Sequence, residues 1–163
     1  MRLFFLRHAD ADSSGQTTDT DRMLTQTGID EASIVAAAIA AMKLDITLIF
    51  TSPFVRARQT ADIVAKQFPS IKVQALNYLL SNSDPQSLFR ELQSFPRDAR
   101  ALLVSHEPFI SRCIANLIGF SGDAKISIKK ATLSCVEVGS PVQRGAGILL
   151  WLMTNEQLRL MKL

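Results

Sequence analysis

Leu3-Phe4-Phe5-Leu6-Arg7-His8 decides how the rest of the chain is read. Four consecutive apolar residues end abruptly in a cation and an imidazole. An apolar run of this length, with no polar alternation, suits a strand buried on both faces of a parallel sheet. The change at Arg7 marks its carboxyl end. Two later stretches repeat the pattern: Thr47 to Thr51 runs into Ser52-Pro53, and Ala101 to Val104 runs into Ser105-His106.

Helical segments separate these strands. Ile29, Ala32, Val35, Ala36, Ile39 and Met42 recur at helical spacing and predict a helix from about Thr25 to Lys43. Ser52 and Pro53 predict an N-cap and first-turn proline for a second helix reaching about Gln67. Ile71 to Ala75 reads as a short third strand. Ser83-Asp84-Pro85 opens a helix through Leu88, Phe89 and Leu92, and another runs from about Pro108 to Ile118. Thr132 to Val138 and Ile148 to Met153 read as strands joined across the turn-rich stretch Gly139 to Gly147. Strand and helix alternate through the first 118 residues, which predicts an α/β fold: a mostly parallel sheet between two helical layers, as one domain over residues 1–163. In such sheets ligands bind beyond the carboxyl ends of the strands. Arg7-His8, Ser52 to Arg56 and Ser105-His106 are therefore expected to meet at one sheet edge.

Composition narrows the classes. The chain has 163 residues, long enough to bury a core without disulfides or metals, and is 47% apolar and 20% charged. Its 18 Lys and Arg against 15 Asp and Glu give +3, too small and scattered a surplus for a nucleic-acid surface. Cys113 and Cys135 lie in apolar segments without metal-type spacing and are read as buried free thiols. Leu3 to Leu6 is too short for a signal-peptide core and Ile34 to Met42 too short to cross a bilayer, so a cytoplasmic chain with no membrane partner is expected. The polar stretch Ala9 to Arg22 reads as a long loop of the kind that carries function.

Only two histidines occur, His8 and His106, and both directly follow a predicted strand. A lone histidine is more often structural, but two imidazoles beside two arginines make a nucleophile in a cationic pocket. That combination suits phosphoryl transfer, where positioning and charge neutralisation supply most of the catalysis.

Four ordered segments carry a family resemblance. Leu6-Arg7-His8-Ala9 resembles the RHG signature of the histidine phosphatase superfamily, the phosphoglycerate mutase-like fold. Arg22-Met23-Leu24-Thr25-Gln26-Thr27-Gly28 is similar to that family's R-x-L-T-x-x-G segment. Ser52-Pro53-Phe54-Val55-Arg56-Ala57-Arg58-Gln59-Thr60-Ala61 is similar to its S-P-x-x-R-A-x-Q-T-A segment, and Val104-Ser105-His106-Glu107-Pro108 to its second-histidine segment. The short length, with no room for a large cap domain, looks most like the bacterial phosphohistidine phosphatases of the SixA type.

The resemblance implies roles residue by residue. His8 is the nucleophile that forms a phosphohistidine intermediate. Arg7 and Arg56 bind phosphoryl oxygens through their planar forks, and His106 donates to the same group, most effectively when protonated. No metal or cofactor is implied. A phosphorylated protein, such as a histidine phosphotransfer domain, is the expected substrate and a monomer the expected state. Small phosphate esters, or a silent phosphoprotein-binding module, are the alternatives. Asp10, Ser52 and Glu107 are candidate accessories, though a turn former, a helix cap and a helix-dipole partner explain them as well. Arg58 reads as solvated or as an outer-rim contact.

Two departures from the family pattern stand out. Ala9 occupies the glycine position of RHG, which would strain the chain if positive φ were required there. Between Ala75 and Ser83 no acid appears where ester-cleaving relatives place a glutamate, and Tyr78 is the position expected to face the pocket.

Overall fold

The computed structural model describes residues 1–120 and 126–161. Six strands, β1 (Arg2–Arg7), β2 (Leu48–Thr51), β3 (Val73–Ala75), β4 (Arg100–Ser105), β5 (Leu133–Val138) and β6 (Gly147–Met153), form one sheet in the order β3-β2-β4-β1-β5-β6. β3, β2, β4 and β1 are mutually parallel, while β5 runs antiparallel to both β1 and β6. All strands but β5 therefore point the same way.

β1 is buried on both faces, as its apolar run requires. Phe4 and Leu6 enter one core with Ala32, Val35 and Ile39 of α1 (Gln26–Ala41), Ala57, Ala61 and Val64 of α2 (Val55–Ala65), and Leu158 of α5 (Asn155–Leu160). Leu3 and Phe5 enter the other with Leu88, Phe89 and Leu92 of α3 (Pro85–Leu92) and Phe109, Ile110, Cys113, Ile114 and Leu117 of α4 (Phe109–Leu117). Burying each of these four β1 side chains contributes on the order of 1.5–3 kcal/mol. The result is a three-layer α/β/α sandwich of the phosphoglycerate mutase-like type, with no cap domain evident in the described residues. Cys113 and Cys135 are buried and free.

Thr25 caps α1, its Oγ1 accepting from the Gly28 N–H at 3.1 Å. The buried stripe of α1 is Gly28, Ala32, Val35, Ala36, Ala38 and Ile39, while Ile29 faces outward. Glycine at 28 is a packing requirement: a Cβ there would lie 1.9 Å from the Asp10 carbonyl oxygen. The final glycine of the R-x-L-T-x-x-G segment thus lets α1 start against the chain leaving β1. α3 begins as expected, with Asp84 as N-cap and Pro85 in the first turn.

The second helix differs from expectation. It starts at Val55 after Phe54, with no side-chain cap, so Ser52 is not its N-cap. Two elements had no counterpart in the sequence reading: a 3-10 turn at Asn77–Leu79 and helix α5. The signal for α5 was present, because Thr154 and Gln157 form a capping box. Six residues are too few for a periodicity to stand out. Ala9 carries no positive φ, so its methyl group brings no backbone strain.

Candidate active site

Strand register assembles the site. β1 and β4 are adjacent and parallel with Arg7 opposite Ser105, so His8 and His106 leave the sheet side by side. Their ring centroids lie 5.1 Å apart, and the His8 N–H donates to the Ser105 carbonyl at 3.0 Å. β2 flanks β4 with Thr51 opposite Val104, which puts Ser52 on the other side of His106. Ser52 Oγ lies 2.7 Å from His106 Nε2. Arg56, in the first turn of α2, reaches back so that its Nε–H donates to His8 Nε2 at 3.2 Å. All four residues are buried. Three neighbouring strand ends and one helix start thus gather residues 8, 52, 56 and 106 into one pocket.

The tautomer of His8 follows from its partners. Its Nδ1 lies 2.8 Å from the Ala9 carbonyl oxygen, which can only accept, so Nδ1 carries the proton. Nε2 therefore presents a lone pair, onto which Arg56 donates. Burial, reinforced by Arg56, Arg7 and Lys130 and opposed by the Ala9 hydrogen bond, lowers the His8 pKa to about 4. At neutral pH His8 is an uncharged imidazole whose Nε2 lone pair faces Arg56. Burial, then His8 and Arg56, lowers His106 to about 3, so His106 is neutral at neutral pH and not protonated as expected from the sequence. Its Nδ1 is buried and has no partner among the described residues.

Arg7 ends β1, and its Nη1 donates to the Ile128 carbonyl at 2.7 Å. It acts on both imidazoles through charge, with no hydrogen bond to either. Phe54, absent from the sequence-based candidates, forms a wall: its ring sits 5.1 Å from that of His106 and 5.0 Å from the Arg56 guanidinium carbon. Asp19 was also missed. Its carbonyl and carboxylate accept from Arg56, the latter at 3.2 Å, and its carboxylate pairs with Arg22 at 2.8 Å. Partial burial raises the Asp19 pKa, but Arg56 and Arg22 outweigh it and hold the carboxyl below its ordinary range.

The accessory candidates fall elsewhere, with one exception. Ser52 belongs to the pocket through His106. Asp10 accepts from Thr25 Oγ1 and Lys130 Nζ, both at 2.6 Å, and bonds neither His8 nor an arginine of the pocket. Those contacts hold its pKa low and pin the loop after β1 to α1. Glu107 accepts from the Ser111 N–H at 3.0 Å in the first turn of α4, the helix-start role. Tyr78 is exposed and lines a surface depression with Ser87, Arg90 and Glu91, which corrects its expected place facing the pocket. Arg58 pairs with Asp62 at 3.8 Å on the surface, as a solvated residue should.

The remaining letters of the segment around Arg56 have structural work. Thr60 Oγ1 accepts from the Ala9 N–H at 3.1 Å and donates to the Arg56 carbonyl, tying β1's exit to α2. Gln59 accepts from the Leu24 N–H at 2.8 Å and holds the approach to α1. Among the described residues, no group of three or more His, Cys, Asp or Glu is placed to hold a metal ion, and no helix is long and apolar enough to cross a membrane.

Residues 3–79 match the model of the histidine phosphatase superfamily, branch 1. The chain is 28% identical to the phosphohistidine phosphatase SixA of Escherichia coli strain K12, over 99% of each chain. It is 31% identical to an uncharacterized protein of a Picosynechococcus strain, over 86% of this chain and 87% of the other. A solved structure of the protein histidine phosphatase SixA complexed with tungstate superposes with a TM-score of 0.85 at 28% identity, over 97% of this chain and 99% of that one. The matched segment contains Arg7, His8 and Arg56, the longer alignments continue past His106, and the chain belongs to the histidine phosphatase superfamily.

Proposed function

We propose that the protein is a phosphohistidine phosphatase that acts on phosphorylated histidine in a protein, such as a phosphotransfer domain, with His8 as nucleophile. Arg56 turns its guanidinium from Asp19 to the incoming phosphoryl group, and Arg7 adds a second positive charge. His8 Nε2 attacks phosphorus in line. The Nε2–P bond forms, the P–N bond of the substrate breaks, and the leaving imidazole takes a proton from solvent. Water then attacks phosphorus, the Nε2–P bond breaks, and inorganic phosphate leaves with His8 restored. Neutral His106 contributes an Nδ1–H to a phosphoryl oxygen, while the Ser52 hydroxyl donates to its Nε2.

The observation that carries the choice of a P–N bond is the state of the nearby carboxylates. An alkoxide leaving from an ester needs a proton donor, and a placed general acid supplies roughly 10²- to 10⁴-fold. Here Asp19 is ion-paired to Arg56 and Arg22, Asp10 is held by Lys130 and Thr25, Glu107 serves α4 and Asp84 caps α3. Each is committed as an acceptor. Imidazole, with a pKa of about 6.5, leaves readily without such help. The 28% identity to the phosphohistidine phosphatase SixA supports the same reading.

The test sets a phosphohistidine protein beside unactivated alkyl phosphates, with wild type and His8→Ala. We expect kcat/KM to favour phosphohistidine by at least about 10²-fold, the low end of the acid-catalysis range. Equal efficiency on both substrates overturns the reading in favour of a small-ester phosphatase. Phosphate-competable binding without turnover overturns it in favour of a silent binding module.

A further inference from the structure

The sheet edge that carries His8 does not end at β1. β5 runs antiparallel to β1, so Lys129 and Lys130 just before β5 lie at that edge, and so do Thr154 to Arg159 just after β6. Between them is a cavity of about 540 Å³, lined by Arg7 and Lys130, whose charges reach His8, and by the exposed Lys129 and Arg159. Arg7 and Lys130 both act on His8 through charge, so the cavity adjoins the phosphoryl pocket.

Its charges are unevenly engaged. Four cations line it against two carboxylates, Glu31 and Glu156. Glu31 Oε2 is taken by the Asp10 N–H at 2.8 Å, and Lys130 by Asp10 at 2.6 Å. Lys129 and Glu156 make only a loose pair at 3.8 Å, with side chains 62% and 81% exposed. Arg159 makes no ion pair or side-chain hydrogen bond among the described residues, and Arg7 Nε is buried without a partner there. Positive charge is left over, and it is greatest at the exposed rim.

We propose that this cavity is a second anion subsite, which takes an Asp or Glu side chain carried by a protein substrate near its phosphohistidine. Arg159 offers the carboxylate a two-pronged fork, and Lys129 trades its loose contact with Glu156 for the incoming charge. A rim open to solvent suits a side chain presented from a protein surface lying across the site. The inference rests on the phosphohistidine reading and adds to it a rule for choosing among phosphohistidine proteins. Rim charges act mainly on encounter and affinity, so the effect belongs in KM.

The test uses two synthetic phosphohistidine peptides, one with Asp and Glu flanking the phosphohistidine and one with Ala in their place, assayed with the full chain. Wild type should show a KM at least about tenfold lower for the acidic peptide, and this preference should weaken as salt is raised. Lys129→Glu/Arg159→Glu should remove the preference, with kcat on both peptides unchanged. An equal KM for the two peptides in wild type overturns the subsite. So does a double variant that loses affinity for both peptides alike, because that would be a general field effect on the phosphoryl group. Failure of wild type to turn over either peptide, while it hydrolyses p-nitrophenyl phosphate, overturns the phosphohistidine reading itself.

Discussion

The pocket has two unequal parts: three strand ends and a helix start supply four residues, and a loop brings in one. His8, Ser52 and His106 follow three adjacent strands whose register is set by core packing, and Arg56 is fixed by a helix packed on the same sheet. All four are buried. Asp19 comes from the polar stretch between β1 and α1, its side chain is 63% exposed, and its neighbours in that stretch bond mostly to one another. In the proposed reaction the first group defines where the phosphoryl group reacts, and the second occupies the guanidinium that would bind it. On that proposal, the geometry that must not move sits on the sheet, and the contact that must break sits on an exposed loop.

The sharpest way to break this division is to remove the nucleophile. His8→Ala should lower kcat by at least about 10⁴-fold, since loss of a covalent nucleophile is far costlier than loss of a supporting contact. The trapped phosphoenzyme of wild type, acid-labile and base-stable, should vanish in the variant. Appreciable residual turnover would mean that the strand ends are scaffold and the chemistry lies elsewhere.

Arg56 spans the two parts and should come next. Arg56→Ala removes the donor on His8 Nε2 and the fork for phosphoryl oxygens, and kcat/KM should fall about 10²- to 10³-fold. Arg56→Lys keeps the charge but loses the fork, so it should recover only a small part of the loss. Full recovery by lysine would reduce Arg56 to a point charge.

The buried part also makes a statement about pH. An ordinary histidine, with a pKa of about 6.5, would leave only a few per cent of its nucleophile unprotonated at pH 5. His8, lowered to about 4, stays mostly neutral there. The acid limb of kcat/KM should therefore fall near pH 4, a difference of about 30-fold in rate at pH 5. Stability follows with a definite sign. Both histidines have native pKa values below the unfolded value, so on acidification the unfolded chain takes up protons first. Stability should be unaffected above about pH 6.5, fall between there and about 4, and then level off as far as His8 is concerned. An acid limb near 6.5 would show that water reaches the pocket freely.

The same division explains what could be read from the sequence. Apolar runs that stop at Arg7-His8 and Ser105-His106 locate strand ends, and in a parallel sheet those ends converge, so the catalytic candidates were legible without coordinates. Ser52 was placed at the right edge but given the wrong partner: a serine before a proline looks like a cap, and only the register of β2 against β4 turns it toward His106. Tyr78 failed the other way, because sequence nearness to a site says nothing about which side the chain presents, whereas Glu107 takes the helix-start role that its position also suggested. Asp19 and Phe54 could not be singled out. One aspartate among Asp10, Asp12, Asp19 and Asp21 has no local pattern to distinguish it, and Phe54 is an unspecified position in its segment. The neutral state of His106 is equally invisible in sequence, since burial sets it.

The smallest expected effect tests the loop part directly. If Asp19 is a placeholder for the phosphoryl group, Asp19→Asn should make inorganic phosphate a better inhibitor. The substitution removes a negative charge beside Arg56 and leaves the Asp19 carbonyl, the partner of Arg56 Nη1, in place. Because the carboxylate is mostly exposed, the exchange is screened by solvent, and exposed pairs are worth only about 0.2–1 kcal/mol. Phosphate Ki should therefore fall by no more than about fivefold, with little change in kcat, which depends on the buried groups. Arg22→Ala supplies a control of the opposite sign: it removes the other partner of Asp19 without touching the pocket and should raise Ki slightly by strengthening the hold of Asp19 on Arg56. A rise in Ki for Asp19→Asn would reverse the assignment: Asp19 would then hold Arg56 ready for phosphate, and the loop would belong to the fixed part of the site.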